Sequence, residues 1–220
     1  MPKLTWDGVG EKRFETGVDQ GVLYPISATG VYDTAFPWNG LTTVTESPSG
    51  AEVNKQYADN ITYAALVSAE EFGGTIEAFT FPTQFGECDG TKMAVAGVEV
   101  AQQSRKAFGL SYRTKVGNDV AGQDLGYKLH LVWGALATPS EKQFTTVNDS
   151  PEAMTFSWEF TTSPVNLTQP GYKPTSLIVI DSTKVTPAIL KKVEDAIYGT
   201  AALTAKLPTP SEIITMVTTP

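Results

Sequence analysis

Few side chains in this 220-residue chain could do chemistry. His130 supplies its one imidazole and Cys88 its one thiol. A Ser-His-Asp relay needs a nucleophile held beside an imidazole, and no Gly-x-Ser-x-Gly elbow presents one. His130 alternates with Lys128 on the polar side of a strand pattern, which reads as a structural or exposed histidine. A zinc site needs several Cys and His ligands. A lone cysteine also excludes an intramolecular disulfide. Cys88 falls in the turn Gly86-Glu87-Cys88-Asp89-Gly90 with no Lys, Arg or His beside it to depress its pKa, and reads as a small packed side chain. Two carboxylates could cleave a glycosidic bond. Glu70, Glu71, Glu77, Glu87 and Glu159 are the candidates, but carboxylates on polar strand faces are ordinarily solvated. The phosphate-cradling Gly-x-x-x-x-Gly-Lys-[Ser/Thr] pattern does not occur, and Gly8-Val9-Gly10 lacks the third glycine and the preceding strand of a dinucleotide loop. The expectation is therefore no catalytic residues, no cofactor, no metal and no enzyme.

The elements around these groups are mostly strands. From Gly126 to Val165 two alternating runs are joined by a turn-rich loop. In the first, Tyr127, Leu129, Leu131 and Trp133 share a face opposite Lys128, His130 and Val132. In the second, Met154, Phe156, Trp158 and Phe160 share a face opposite Thr155, Ser157, Glu159 and Thr161. Successive strand side chains point to opposite faces, so each run reads as half-buried, with its apolar residues in the core. Further strands are expected at 21–35, 61–68, 74–82, 106–114 and 175–180, with a strand or short helix at 91–103 and a loop at 116–124. Residues 1–20 read as an N-terminal arm carrying Trp6 and Phe14. Residues 36–60 read as a long polar loop carrying Trp38, Leu41 and Tyr57, and loops of that length are commonly functional or disordered. Over 187–198 the spacing changes to helical: Ile189, Leu190, Val193, Ala196 and Ile197 form one stripe, with Thr186, Pro187 and Gly199 as boundary signals. Ile189, Val193 and Ile197 are taken as core. The tail after Pro208 and Pro210 is expected to add a short strand. The reading is one mainly β domain, a β-sandwich or barrel-like body with one flanking helix at 187–198, with residues 21–220 as a single unit following the arm.

Composition narrows the partners. Net charge is −8 and no basic patch occurs, so sequence-independent binding to phosphate backbones is not expected. Charged residues make up 18% of the chain, below the roughly 25% of an average domain, which fits a surface covered by other protein. No apolar run reaches signal-peptide or membrane-span length, and folding in a cytoplasm is expected. The sequons at Asn60, Asn148 and Asn166 then read as chance in a Ser/Thr-rich chain.

Several collinear blocks resemble the major tail protein of long-tailed, non-contractile bacteriophages. They are LTWDGVGEKRFETGVDQGVLYP (4–25), AEEFGGTIEAFTFPTQFGECDG (69–90), FGLSYRTKVGND (108–119), the 126–165 stretch, and KPTSLIVIDSTKVTPAILKKVEDAIYGT (173–200) with LPTPSEII beyond it. The resemblance implies a structural virion protein of the phage tail. Its copies would close into homohexameric rings that stack as the tail tube around a tape-measure protein, with other tail proteins at the tube ends. Assembly would occur in the host bacterial cytoplasm, and phage DNA would pass without specific binding during genome ejection. Sheets closed through neighbouring subunits lose their exposed edges, and a second contact patch turns rings into a stack. The arm and the loop are the natural second patch, so Trp6, Phe14, Trp38, Leu41 and Tyr57 are the expected subunit or ring-stacking contacts. An acidic lumen would let the genome slide. The alternative is a monomeric carbohydrate-binding β-sandwich on a virion or cell surface. That module needs a clustered aromatic platform, whereas the tryptophans are dispersed at positions 6, 38, 133 and 158.

Overall fold

The computed structural model describes residues 4–147, 149–150 and 152–219, so Asn148 lies outside the described residues. In chain order the strands are β1 (Arg13–Pro25), β2 (Phe36–Trp38), β3 (Leu41–Glu46), β4 (Ser49–Gly50), β5 (Val53–Ala58), β6 (Ile61–Val67), β7 (Glu70–Glu71) and β8 (Gly73–Ala78). A 3-10 turn (Thr83–Glu87) leads to β9 (Lys92–Val95), β10 (Val98–Val100), β11 (Phe108–Asn118), β12 (Gly122–Ala137), β13 (Phe156–Thr162) and β14 (Leu177–Asp181). Helices α1 (Pro187–Tyr198) and α2 (Pro210–Thr218) close the chain.

The principal sheet is antiparallel and runs β2-β1-β11-β12-β13-β8-β3, with β14 also paired to β12. Its end strands β2 and β3 are joined by only Asn39-Gly40, and β3 packs beside β1, so the sheet curls round on itself. Leu23, Trp38, Ile76, Phe85, Phe108, Leu110, Val132, Trp158 and Phe160 fill the interior. On the outer face Tyr24, Leu129, Leu131, Trp133 and Ile180 pack against Leu190, Val193 and Ile197 of α1 and Ile213 of α2. The protein is therefore mainly β, a sandwich or barrel-like body with a helical flank. The central strand β12 is apolar on both faces because it separates these two cores, so Val132 is buried as fully as Leu131.

One glycine makes the shared strand possible. Residues 128–132 of β12 pair with β14, while Ala135–Ala137 pair with β13. Gly134 lies between the two halves at φ 65°, and a Cβ there would sit 2.3 Å from the Ser163 carbonyl oxygen. A side chain would meet both left-handed backbone strain and backbone collision. Gly134→Ala is expected to lower stability by about 1–3 kcal/mol through the strain alone, read as a lower denaturation midpoint. An unchanged midpoint would show that the bend does not depend on glycine.

Several expected elements are rearranged. Residues 1–20 are not an arm throughout: β1 begins at Arg13 and pairs with β11 from Arg13↔Asn118. The segment 36–60 is not a loop but holds β2, β3, β4 and β5. The expected loop at 116–124 shrinks to a turn between β11 and β12. Helix α1 occupies 187–198 as read, but its stripe is centred on Leu190, Val193, Ala196 and Ile197, leaving Ile189 only half-buried. The tail forms a second helix instead of a strand. Thr209 caps it by accepting from the Glu212 amide while the Glu212 side chain accepts from the Thr209 amide, a reciprocal capping box. Met154 is 40% exposed because β13 starts only at Phe156, which is itself partly buried against the interior.

Candidate assembly surface

A two-stranded ribbon leaves the body between β3 and β8. Its tip is Asp59-Asn60, both at positive φ (52° and 61°), as a type I′ turn requires. Its strands pair from Val53↔Val67 to Ala58↔Ile61 with one irregularity near Tyr57. At its root Ser49 and Gly50 pair with Glu71 and Glu70, and Glu52 and Ser68 bond to one another twice.

No residue of β5 and β6 is buried. Alternation puts Val53, Lys55 and Tyr57 on the face that carries Ala65 and Val67, and Tyr63 lies two residues from Ala65 on that same side. Exposures on this face are 55% for Val53, 69% for Tyr57, 77% for Tyr63 and 65% for Val67. Ile61 and Leu66 are exposed as well. An isolated two-stranded hairpin is only marginally stable in water, and a contiguous apolar patch on a soluble protein generally marks an interaction site. Other uncovered apolar groups lie in the segment before β1, at Leu4, Trp6 and Val9, and on the β9–β10 hairpin, at Met93, Val95, Val98 and Val100.

The five expected contact residues do not form one patch. Trp6 and Tyr57 are exposed, and Phe14, 44% exposed, lies over Gly117 on the neighbouring strand. Trp38 is instead an interior residue: its indole donates to the Thr80 carbonyl at 3.0 Å, and its ring lies 4.6 Å from Phe85. Leu41 packs against the same core. Trp38 is thereby corrected from surface to interior and Leu41 to a partly buried position at the edge of the core, because β2 and β3 join the sheet where a loop was expected. Val53, Ile61, Tyr63, Leu66 and Val67 were missed as surface candidates. The alternation of 53–58 and 61–67 around a two-residue Asp-Asn turn was the signal that could have found them.

The groups with chemical potential are engaged structurally. His130 is buried, with Nδ1 2.8 Å from Glu46 Oε1 and Nε2 3.1 Å from Thr114 Oγ1, and its ring stacks on Tyr112. Burial pushes the Cys88 thiol up to about 12, with the Glu87 charge adding to the effect, so the reactive thiolate is disfavoured. The neighbouring Asp89 is buried and paired with Arg105 and Lys142, which fastens Lys142, a few residues beyond β12, to the segment that follows the 3-10 turn. Glu70 and Glu71 lie at the root of the ribbon. Among the described residues no three His, Cys, Asp or Glu side chains gather as a metal site, and no helix is long and apolar enough to cross a membrane.

No protein-family model matches the chain, and no curated protein matches it. Among solved structures it is similar to a chain of the PVC sheath–tube complex of an extracellular contractile injection system in its extended state. Identity is 14% and the TM-score 0.30, over 74% of this chain and 88% of that one. A likeness of that size leaves function to be argued from the chain's own residues.

Proposed function

We propose that this protein is a structural, self-assembling subunit of a phage tail tube and not an enzyme. The observation that carries the reading is the β5–β6 ribbon, whose apolar face has no cover within the subunit. Its occupant is a second copy of the same chain. A head-to-tail contact needs two unlike patches on one molecule, and the ribbon and the other uncovered apolar groups, at 4–9 and 93–100, provide them. The collinear resemblance to major tail proteins supplies the rest of the proposal. Homohexameric rings stack around a tape-measure protein, other tail proteins close the ends, and DNA passes along an acidic wall without specific binding. The assembled protein then belongs to the virion tail and forms in the host bacterial cytoplasm.

Negative-stain microscopy and sedimentation of the purified full chain test this directly. Rings or tubes of uniform width are the expected result. A strict monomer at all concentrations would overturn the proposal, and glycan binding by that monomer would favour the carbohydrate-binding alternative.

A further inference from the structure

The ribbon's root is tied to β11 and β12 by one carboxylate. Glu46 is the last residue of β3 and shares the inward face with Val44, which packs on the interior core. Its Oε1 accepts a hydrogen bond from the Tyr112 hydroxyl on β11 at 2.6 Å and meets His130 Nδ1 on β12 at 2.8 Å. Neither strand is a ladder neighbour of β3, since β8 and β13 lie between β3 and β12 in the sheet. The contact is therefore made between side chains and not along a ladder, and the Glu46 side chain itself is one-third exposed. Beyond Glu46 the chain is held by the Ser47 amide on the Gly73 carbonyl, by the two residue pairs of β4 and β7, by the Ala51 amide on the Ala69 carbonyl and by the two bonds between Glu52 and Ser68. Glu46 thus stands at the point where the principal sheet passes into the ribbon's root.

We propose that Glu46 is a positioning tie that couples the ribbon's root to the barrel interior, and that acidification releases it. This holds for the single subunit, whether or not the ribbon joins copies together. The groups facing the carboxylate are Tyr112 from β11 and His130 and Lys128 from β12, and Lys128 is in turn paired with Glu15 of β1. The hydrogen bond from His130 is the largest influence on Glu46. Burial opposes it, and the Tyr112 hydrogen bond and the charges of His130 and Lys128 reinforce it, so the carboxyl is held below its ordinary value of 4.5. For a depressed carboxyl the stabilisation is complete above the unfolded value and is lost as pH falls through the folded one. His130 Nδ1–H donates to the Glu46 carboxylate, which can only accept, and Nε2 bonds with the Thr114 hydroxyl. The carboxylate is accordingly the group that switches the tie.

Hydrogen exchange on the intact protein tests this, with rates corrected for the intrinsic pH dependence. In Glu46→Ala at neutral pH, protection of the amides of 45–51 and 68–74 is expected to fall about tenfold, the loss of charge-assisted hydrogen bonds. Protection across β11 and β12 stays as in the parent. The parent chain loses the same protection when acidified below 4.5, whereas Glu46→Gln shows no such acid step. Tyr112→Phe, which removes one donor and keeps the ring, gives a smaller loss in the same segments and serves where the alanine variant does not fold. Unchanged protection at 45–51 and 68–74, or a loss spread equally over β11 and β12, overturns the tie. Tube formation is not the readout, so failure here and failure of the assembly reading are separable.

Discussion

Replacing residues 51–69 with a two-residue Asn-Gly turn is expected to leave a folded subunit that forms no tubes. The cut is placed so that Gly50 and Glu70 remain paired and the new hairpin closes on the turn type its strands prefer. Everything removed lies outside both cores, so unfolding free energy should move by about 1 kcal/mol or less, as for changes away from packed sites. Assembly should be lost at concentrations where the parent chain assembles completely, because the variant lacks the apolar face of Val53, Tyr57, Tyr63 and Val67. Far-ultraviolet circular dichroism and the denaturation midpoint report the fold, and microscopy reports the tubes. Tubes of normal length from this variant would show that the ribbon does not join subunits. The full expected loop, 36–60, is the wrong segment to delete: it would take Trp38 out of the interior and β3 out of the sheet, and the result would be unfolding.

That difference shows where the sequence was legible. Helix α1 could be read to its ends because Pro187 and Gly199 bound a helical stripe, although that stripe placed Ile189 deeper than it lies. The alternation of β12 and β13 likewise located Trp133 and Trp158. What misled was polarity. The 36–60 stretch is rich in Ser, Thr, Gly and Asn, which resembles a loop, yet β3 needs only Leu41 and Val44 to face the core, and β5 faces no core at all. A strand that buries nothing within its own subunit carries no apolar signature relative to that subunit, so a surface used between molecules is hard to tell from a loop. The same reasoning explains His130. A polar residue between Leu129 and Leu131 looks solvent-facing by pattern, but it shares the inward face with Val132, stacks on Tyr112 and is bonded by Glu46, distant in sequence. Contacts of that kind depend on how the sheet closes, and a local pattern does not contain them.

Trp158→Ala should be the most damaging single substitution in the interior. The residue is fully buried at the centre of an aromatic cluster, with ring centroids 5.2 Å from Phe81, 5.2 Å from Phe85, 5.7 Å from Trp38 and 5.8 Å from Phe156. These partners come from β2, the segment around the 3-10 turn and β13 itself, so the void cannot be closed by moving one element. A large-to-small change in such a site costs about 3–5 kcal/mol, a large part of the 5–15 kcal/mol by which domains are ordinarily stable. For a chain of this size that corresponds to a fall of about 6–20 °C in Tm. Trp158→Phe separates packing from polarity. The Trp158 indole Nε1 is buried without a hydrogen-bond partner, so phenylalanine removes an unsatisfied donor while keeping most of the ring contacts. Its expected cost is smaller than that of Trp158→Ala, because the cavity it leaves is smaller. A small effect of Trp158→Ala, under about 1 kcal/mol by the same denaturation measurement, would mean that the barrel interior is not the packed core that the closure of β3 against β1 implies. The two variants losing stability equally would instead assign the cost to the indole's particular shape.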